Sequence, residues 1–527
     1  MKLKAVMCTM FALLIIISSA CSNNTKQNSS NNTGNEDESG PVEVSMIATS
    51  VDNQDTWAEQ QLEEIITKKT GREFNLNSII LPSTDPNTKL NLLMTEKDTM
   101  PAILNFSSME DEYQTWAKAG VLQDLTPYLQ EHGKSILNYF SKEAMFYYWD
   151  EGGALYRFQN GQAEPGMKTT MLRKDWLDNL DLEIPETLDE YIEVLRAFTH
   201  DDPDGNGKDD TYGFAGQNFW DALYPFLGAY GLQVEALLEQ EDGTVKFSDT
   251  MPEMKEVLKI LQDLYTDGVI DPRLPTNDSF TLTDEIYAKG KAGSMYQYVA
   301  YLNPSASATQ SFKQQNPDGE YIAIDPVKGP DGFASDYPTP VIPETFVAFT
   351  QQNQYPEISM QLLNELNTPE TFQLIAFGVE GEDYELTDDG MESKLNPNEK
   401  GDRGLSSHWP MNRRDEANIE NLPEVSELFA EREKTSQPMR DKIVELKASD
   451  RPEWEKHRTD LEKLRDQTFW NIIIGKKDVN AFDDFVEKFY ASGGQAAEDE
   501  ANALFKEQEK QREKFDQWYE ENIEPYK

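Results

Sequence analysis

The chain has 527 residues, 96 of them acidic against 48 basic, for a formal net charge of −48. A surface this acidic repels nucleic acid and anionic lipid headgroups, which argues against any role that depends on binding either. The length exceeds what one hydrophobic core organises, so two lobes or more are expected.

The N-terminus reads as an address. Lys2 and Lys4 precede an apolar run from Ala5 to Ile17, and Ser18-Ser19-Ala20-Cys21 follows. A basic start, an apolar stretch and small residues before a cut are the layout of a secretory signal peptide. The run of about 13 residues is too short to cross a hydrocarbon layer of about 30 Å. Cys8 and Cys21 are the two cysteines, and Cys8 lies in the leader. Cleavage before Cys21 therefore leaves one thiol and no intrachain disulfide. Ala20-Cys21 resembles a bacterial lipobox, although Ser18 stands where Leu is usual. Residues 1–20 are read as a signal peptide and Cys21 as a lipidation site, palmitate included, that anchors the protein on the extracytoplasmic face of the cell membrane. Residues 21–40 hold no large apolar side chain and form a lipidated, flexible tether.

The body opens on Val42–Ala48, an alternating strand pattern, and residues 55–70 read as a helix with Trp57, Leu62, Ile65 and Ile66 on one side, stopped by Gly71. A strand from Phe74 to Leu81, a helix over 86–95 and a strand over 102–106 follow. This β-α-β-α-β alternation predicts a mostly parallel sheet, with ligands at the C-terminal ends of its strands, after Ala48 and Phe106. A second α/β region begins near Thr169. Asp175 to Asn179 starts a helix, Thr187 and Glu190 make a capping box for the next, over 188–199, and residues 251–268 form another. Phe346–Phe349 is a further strand and 356–366 a helix; the tail over 423–521 is helical and charged, and no internal repeat is visible.

The segment richest in chemistry is Asp202 to Asp210. Asp202, Asp204, Asn206 and Asp210 place oxygens at positions 1, 3, 5 and 9 of a loop, Gly207 turns the chain at position 6, and Lys208 offers its carbonyl at position 7. Ca²⁺ takes six to eight oxygens, and this spacing wraps them round one point. Gly213 at position 12 removes the bidentate Glu of a full EF-hand, which leaves a place for Thr211 or water. The expected cofactor is a structural Ca²⁺.

Leu172-Arg173-Lys174-Asp175-Trp176-Leu177, Pro185 to Tyr191, Ala197-Phe198 with the Asp202–Asp210 loop, Leu264 to Pro272, Gly329-Pro330-Asp331-Gly332 and Phe377 to Gly381 occur in one order over the body. Together they resemble family 1 extracellular solute-binding proteins, nearest to the large subgroup that includes alginate-oligosaccharide-binding proteins. The resemblance implies an α/β, two-lobed periplasmic-binding-protein-like fold, each lobe a mostly parallel sheet flanked by helices, with a helical C-terminal region. Residues 41–165 and 336–400 would form the N-terminal lobe, 166–335 and 401–527 the C-terminal lobe. It also implies a sugar held in the cleft, hinge closure and delivery to the permease subunits of an ABC importer. The relatives carry calcium on the loop equivalent to Asp202–Asp210.

A sugar site needs flat aromatics for C–H faces and forked polar groups for hydroxyls. Trp57, Trp116, Trp220, Tyr224, Tyr296, Tyr298 and Trp409 are the aromatic candidates, and Asn105, Arg173 and Arg413 the polar ones. Trp176, Trp454, Trp470 and Trp518 read as packing. An enzyme is disfavoured, since the four His are scattered and neither HExxH nor GxSxG occurs. A peptide-binding or other non-sugar lipoprotein is the alternative to a monomeric sugar binder.

Overall fold

The computed structural model describes residues 40–48, 53–82, 85–107, 109–160, 168–216, 219–277, 286–302, 307–335, 345–387, 390–406, 409–411, 423–447 and 451–527. Cys21 and Arg413 lie outside them.

The first sheet has five strands, in the order Phe74–Ile80, Val42–Ala48, Ile103–Ser107, Thr345–Phe349 and Phe158–Gln159. The first three are parallel, as the alternation predicts, and the fourth, Thr345–Phe349, runs antiparallel to both of its neighbours. Helices cover the sheet, so its strands carry apolar side chains on both faces: Ile103 and Leu104 are both fully buried. The helix Trp57–Thr70 is set by a Thr56–Glu59 capping box and ends on Gly71, whose φ of 70° is the left-handed turn that Gly makes without strain.

The second sheet orders Tyr321–Ala323, Lys168–Arg173, Ala292–Tyr298 and Tyr212–Ala215. Only its last pair is parallel; the other two are antiparallel, which corrects the expectation of a mostly parallel sheet here. The cause is connectivity, because the strand Lys168–Arg173 enters from the first sheet and runs against its neighbour. The Thr187–Glu190 capping box is present at the start of the helix Leu188–His200. A small third sheet joins Ile443–Val444, Leu237–Glu239 and Val245–Phe247.

Two large hydrophobic cores result, one around each main sheet. The tail does not divide between them as the sequence suggests. Trp409, Met411, Phe515, Tyr519 and Ile523 are buried in the first core, whereas Phe469, Phe485, Ala497 and Ala501 are buried in the second. Residues 401–527 are therefore not confined to the second lobe. The helix Gln495–Asn522 contributes to both cores, and its 28 residues correspond to about 42 Å of rod. Midway, the Gln508 amide accepts from the Lys447 backbone at 2.7 Å and donates to the Glu445 carbonyl at 3.0 Å. The Lys447 ammonium donates to the carbonyls of Phe146, at 2.9 Å, and Trp149, at the end of a first-core helix, Lys142–Tyr148. This contact carries the favourable sign for a cation at a helix C-terminus.

Candidate functional site

One chain crossing, from Asn160 to Lys168, joins an end of the first sheet to an end of the second. In the first sheet the parallel strands end at Ala48, Ile80 and Ser107, and Ser107 pairs with Thr345 at the start of its antiparallel neighbour. Asn160 follows Gln159 at that same edge. Its backbone N–H donates to the Thr345 carbonyl at 3.0 Å, and its side-chain amide donates to Asn105 Oδ1 at 2.7 Å. Asn105 is buried, so the pair is an amide clasp set into the sheet edge.

In the second sheet the parallel strands Tyr212–Ala215 and Ala292–Tyr298 run the same way, Ala215 lying opposite Met295, and the longer strand continues three residues to Tyr298, which pairs with Lys168. Eight residue steps from Asn160 to Lys168 span at most about 28 Å fully extended, so this crossing ties the two edges to one region. Tyr298 is 39% exposed, and the Lys168 ammonium lies 4.8 Å from its ring centroid. An exposed phenol ring beside an ammonium can stack a solute's apolar face and address its oxygens, with no covalent step. Asn160, Lys168 and Gln297, whose amide oxygen accepts the Tyr298 N–H at 2.9 Å, were not among the sequence candidates. Register alone brings them to this edge.

The other candidates distribute unevenly. Trp57 opens its helix half-buried, with the Arg403 guanidinium 4.0 Å from its ring. Trp220 is half-buried, donates to Asp466 Oδ1 at 3.2 Å and meets Phe469 edge-on. Trp116 is buried edge-on against Phe106 in the first core, a packing role in place of the expected stacking one. Tyr224 and Tyr296 are also corrections: both are buried and stack on each other at 5.9 Å within the second core. Trp409 is 3% exposed, and its indole donates to the Gly404 carbonyl at 3.2 Å inside the first core. Arg173 likewise has a structural duty. Its buried guanidinium forks onto Asp175 at 2.8 and 2.6 Å and reaches the Gly290 carbonyl at 3.0 Å, with the Trp176 ring 4.4 Å away. That set of partners consumes its donor face.

The loop Asp202–Asp210 folds as a tight, exposed turn, with positive φ at Asp202, Gly205 and Gly207. The Asp202 carboxylate accepts the backbone N–H groups of Asn206 and Gly207, both at 3.0 Å. The Asn206 amide donates to Asp204 Oδ2 at 2.7 Å and Asp210 Oδ1 at 3.1 Å, and Lys208 N–H returns to Asn206 Oδ1 at 2.8 Å. Lys291 bonds Asp210 at 2.6 Å and, with the Asn206 amide, holds that carboxyl below the usual range. Asp202, Asp204 and Asp210 thus turn oxygens inward, but around a donor amide. Among the described residues no group of three or more His, Cys, Asp or Glu is gathered tightly enough to hold a metal. Thr211 does not fit the expected ligand role: its hydroxyl is buried and donates to the Phe198 carbonyl at 2.8 Å.

With this geometry established, similarity to known proteins is informative. Lipoprotein LipO of Bacillus subtilis is 27% identical over 468 residues, covering 84% of this chain and 88% of that protein. The polygalacturonan/rhamnogalacturonan-binding protein YtcQ of Bacillus subtilis is 28% identical over 354 residues, covering 64% of this chain and 67% of that protein. Among solved structures, an EF-hand mutant of the ABC-transporter substrate-binding protein FusA of S. pneumoniae, in complex with fructo-nystose, superposes with a TM-score of 0.65. It shares 18% identity and covers 89% of this chain and 99% of that one, a likeness of fold. Residues 61–378, more than half of the sequence, match the family described as bacterial extracellular solute-binding protein, and the chain belongs to that family.

Proposed function

We propose that this protein captures a carbohydrate, an oligosaccharide in particular, between the facing edges of its two sheets and hands it to the permease subunits of an ABC importer. The observation that carries the reading is the exposed Tyr298 ring beside Lys168, across the chain crossing from the Asn105–Asn160 clasp. One edge offers a flat apolar face, the other a fixed set of amides, which is what a sugar's C–H faces and hydroxyls require. The ligands named for YtcQ, polygalacturonan and rhamnogalacturonan, and for FusA, fructo-nystose, support the class. Capture is by closure and release, without a bond being broken. The protein works as a monomer, secreted and held to the outer face of the membrane by lipid on Cys21, a position the name of LipO favours.

The Asp202–Asp210 loop is proposed to hold Ca²⁺ as a clip, through Asp202, Asp204, Asn206, Asp210 and the Lys208 carbonyl. Rotation of the Asn206 amide would turn its oxygen toward the carboxylates. The FusA name, which includes an EF-hand, favours this.

Titration calorimetry of the mature protein against fructo-, galacturono- and xylo-oligosaccharides, with peptides as the contrasting set, tests the function. Saturable binding to at least one sugar, with sugar recovered intact, is expected. Binding confined to peptides, or cleavage of the sugar, overturns it.

A further inference from the structure

Gln297 is the penultimate residue of the strand Ala292–Tyr298 and is 1% exposed. Its Oε1 accepts the Tyr298 backbone N–H at 2.9 Å. An N–H group can only donate, so the oxygen end of this amide is fixed by its own chain, and the amino end is turned the other way. Nε2 then has two N–H donors, is buried, and has no hydrogen-bond partner among the described residues. Its cross-strand neighbour Thr169 is fully buried and its hydroxyl donates to the Thr170 carbonyl at 3.2 Å; the Thr169 oxygen is not a partner of Nε2. A buried donor left unmade is destabilising, and native structures keep few of them without a reason.

The position suggests the reason. Gln297 does not sit in the middle of the sheet. It curls forward to the strand's last N–H, at the edge where Tyr298 is exposed and Lys168 begins. Successive side chains of a strand point to opposite faces. A solute stacked on the Tyr298 ring at the strand end therefore lies one residue away from the Gln297 amide, which sits on the opposite face of the strand. The unmade donor is an unfavourable term in the free protein that a solute acceptor removes.

We propose that Gln297 Nε2 is a specificity-determining donor of the sugar site, reading an acceptor oxygen, either a hydroxyl or a carboxylate, of an oligosaccharide that also stacks on Tyr298. This rests on the carbohydrate reading above. It makes an uncommon prediction, because the same substitution should move stability and affinity in opposite senses. Replacing a buried unpaired donor by an apolar group of similar shape is neutral or stabilising, whereas losing its bond to ligand weakens binding.

The test uses the mature chain with kestose and trigalacturonate as probes. In Gln297→Met the sugar-free melting temperature should be unchanged or higher. Affinity for whichever probe the wild type binds should fall about tenfold or more, the worth of one such hydrogen bond. Gln297→Glu keeps the volume and the accepting oxygen but removes the donors; it should lose affinity too, and more for trigalacturonate than for kestose. If both variants bind like the wild type, an ordered water satisfies Nε2 and the assignment falls while sugar capture stands. If the wild type binds neither probe nor any other oligosaccharide, the capture reading fails first and takes the assignment with it.

Discussion

The loop Asp202–Asp210 and the helix Gln495–Asn522 are opposites in how they are held. The loop closes on itself within nine residues, and apart from the Lys291 contact its side-chain bonds are to its own backbone and amides. The helix has little of its own to close. Its first turns are buried with Phe485 and Phe489, its last turns with Phe146 and Trp149, in two separate cores. A local motif is readable from spacing, because its partners are neighbours in sequence. A tie between cores is not, because the far-end partners Phe146 and Trp149 lie more than 360 positions from Phe515.

The largest effect that could break this contrast is at the helix end. Phe515 packs against Phe146, Trp149, Trp518 and Tyr519, with ring centroids 5.5–5.9 Å apart. Phe515→Ala should cost about 3–5 kcal/mol in a denaturant titration, and Trp409→Ala a similar amount, since both empty the same core. A small loss at Phe515 would mean that the helix end is an ornament and no tie. A smaller, pH-dependent effect belongs to Lys447. Burial pushes its ammonium down to about 8, with Arg512 adding to the shift and Glu151 and Asp150 opposing it, against 10.5 for the ordinary side chain. The folded chain thus releases this proton before the unfolded chain does. The residue's contribution rises as pH climbs from about 8 to 10.5 and is lost as pH falls through 8. Melting curves of wild type and Lys447→Met across that window should diverge in this sense; parallel curves would remove the residue from the account. The smallest effect is at the loop. A chelator should lower wild-type stability by about 1–2 kcal/mol when calcium had been ten to thirty times its dissociation constant, and should leave Asp204→Ala unmoved. An equal response in both proteins would show that the chelated ion sits elsewhere.

The sequence was readable where periodicity and caps are local. The β-α-β-α-β opening and the Thr187–Glu190 capping box came through in the structure. The sequence misled where a side chain's fate depends on distant backbone. Arg173 was a polar candidate for the sugar site, but its third partner is the Gly290 carbonyl, 117 positions on. Trp409 lies in a stretch without helical period, which suggested a loop at the cleft, yet it fills the first core. The antiparallel strand Thr345–Phe349 explains why: the chain returns to the first sheet late, and the segments after it pack there. Gln297 had no signal at all, since an unmade bond is a property of the assembled sheet.

The shared helix has a mechanical consequence. About 33 Å of unbroken rod separates Ala497 from Tyr519, and each is anchored in a different half. A rod does not shorten, so the halves cannot slide past one another at that side. Any swing that narrows the gap at Tyr298 has to turn about the rod, as a door turns about its post. If the proposed capture involves such a swing, distance labels at the two ends of the helix should stay silent while labels on Tyr298 and Asn160 change on sugar addition.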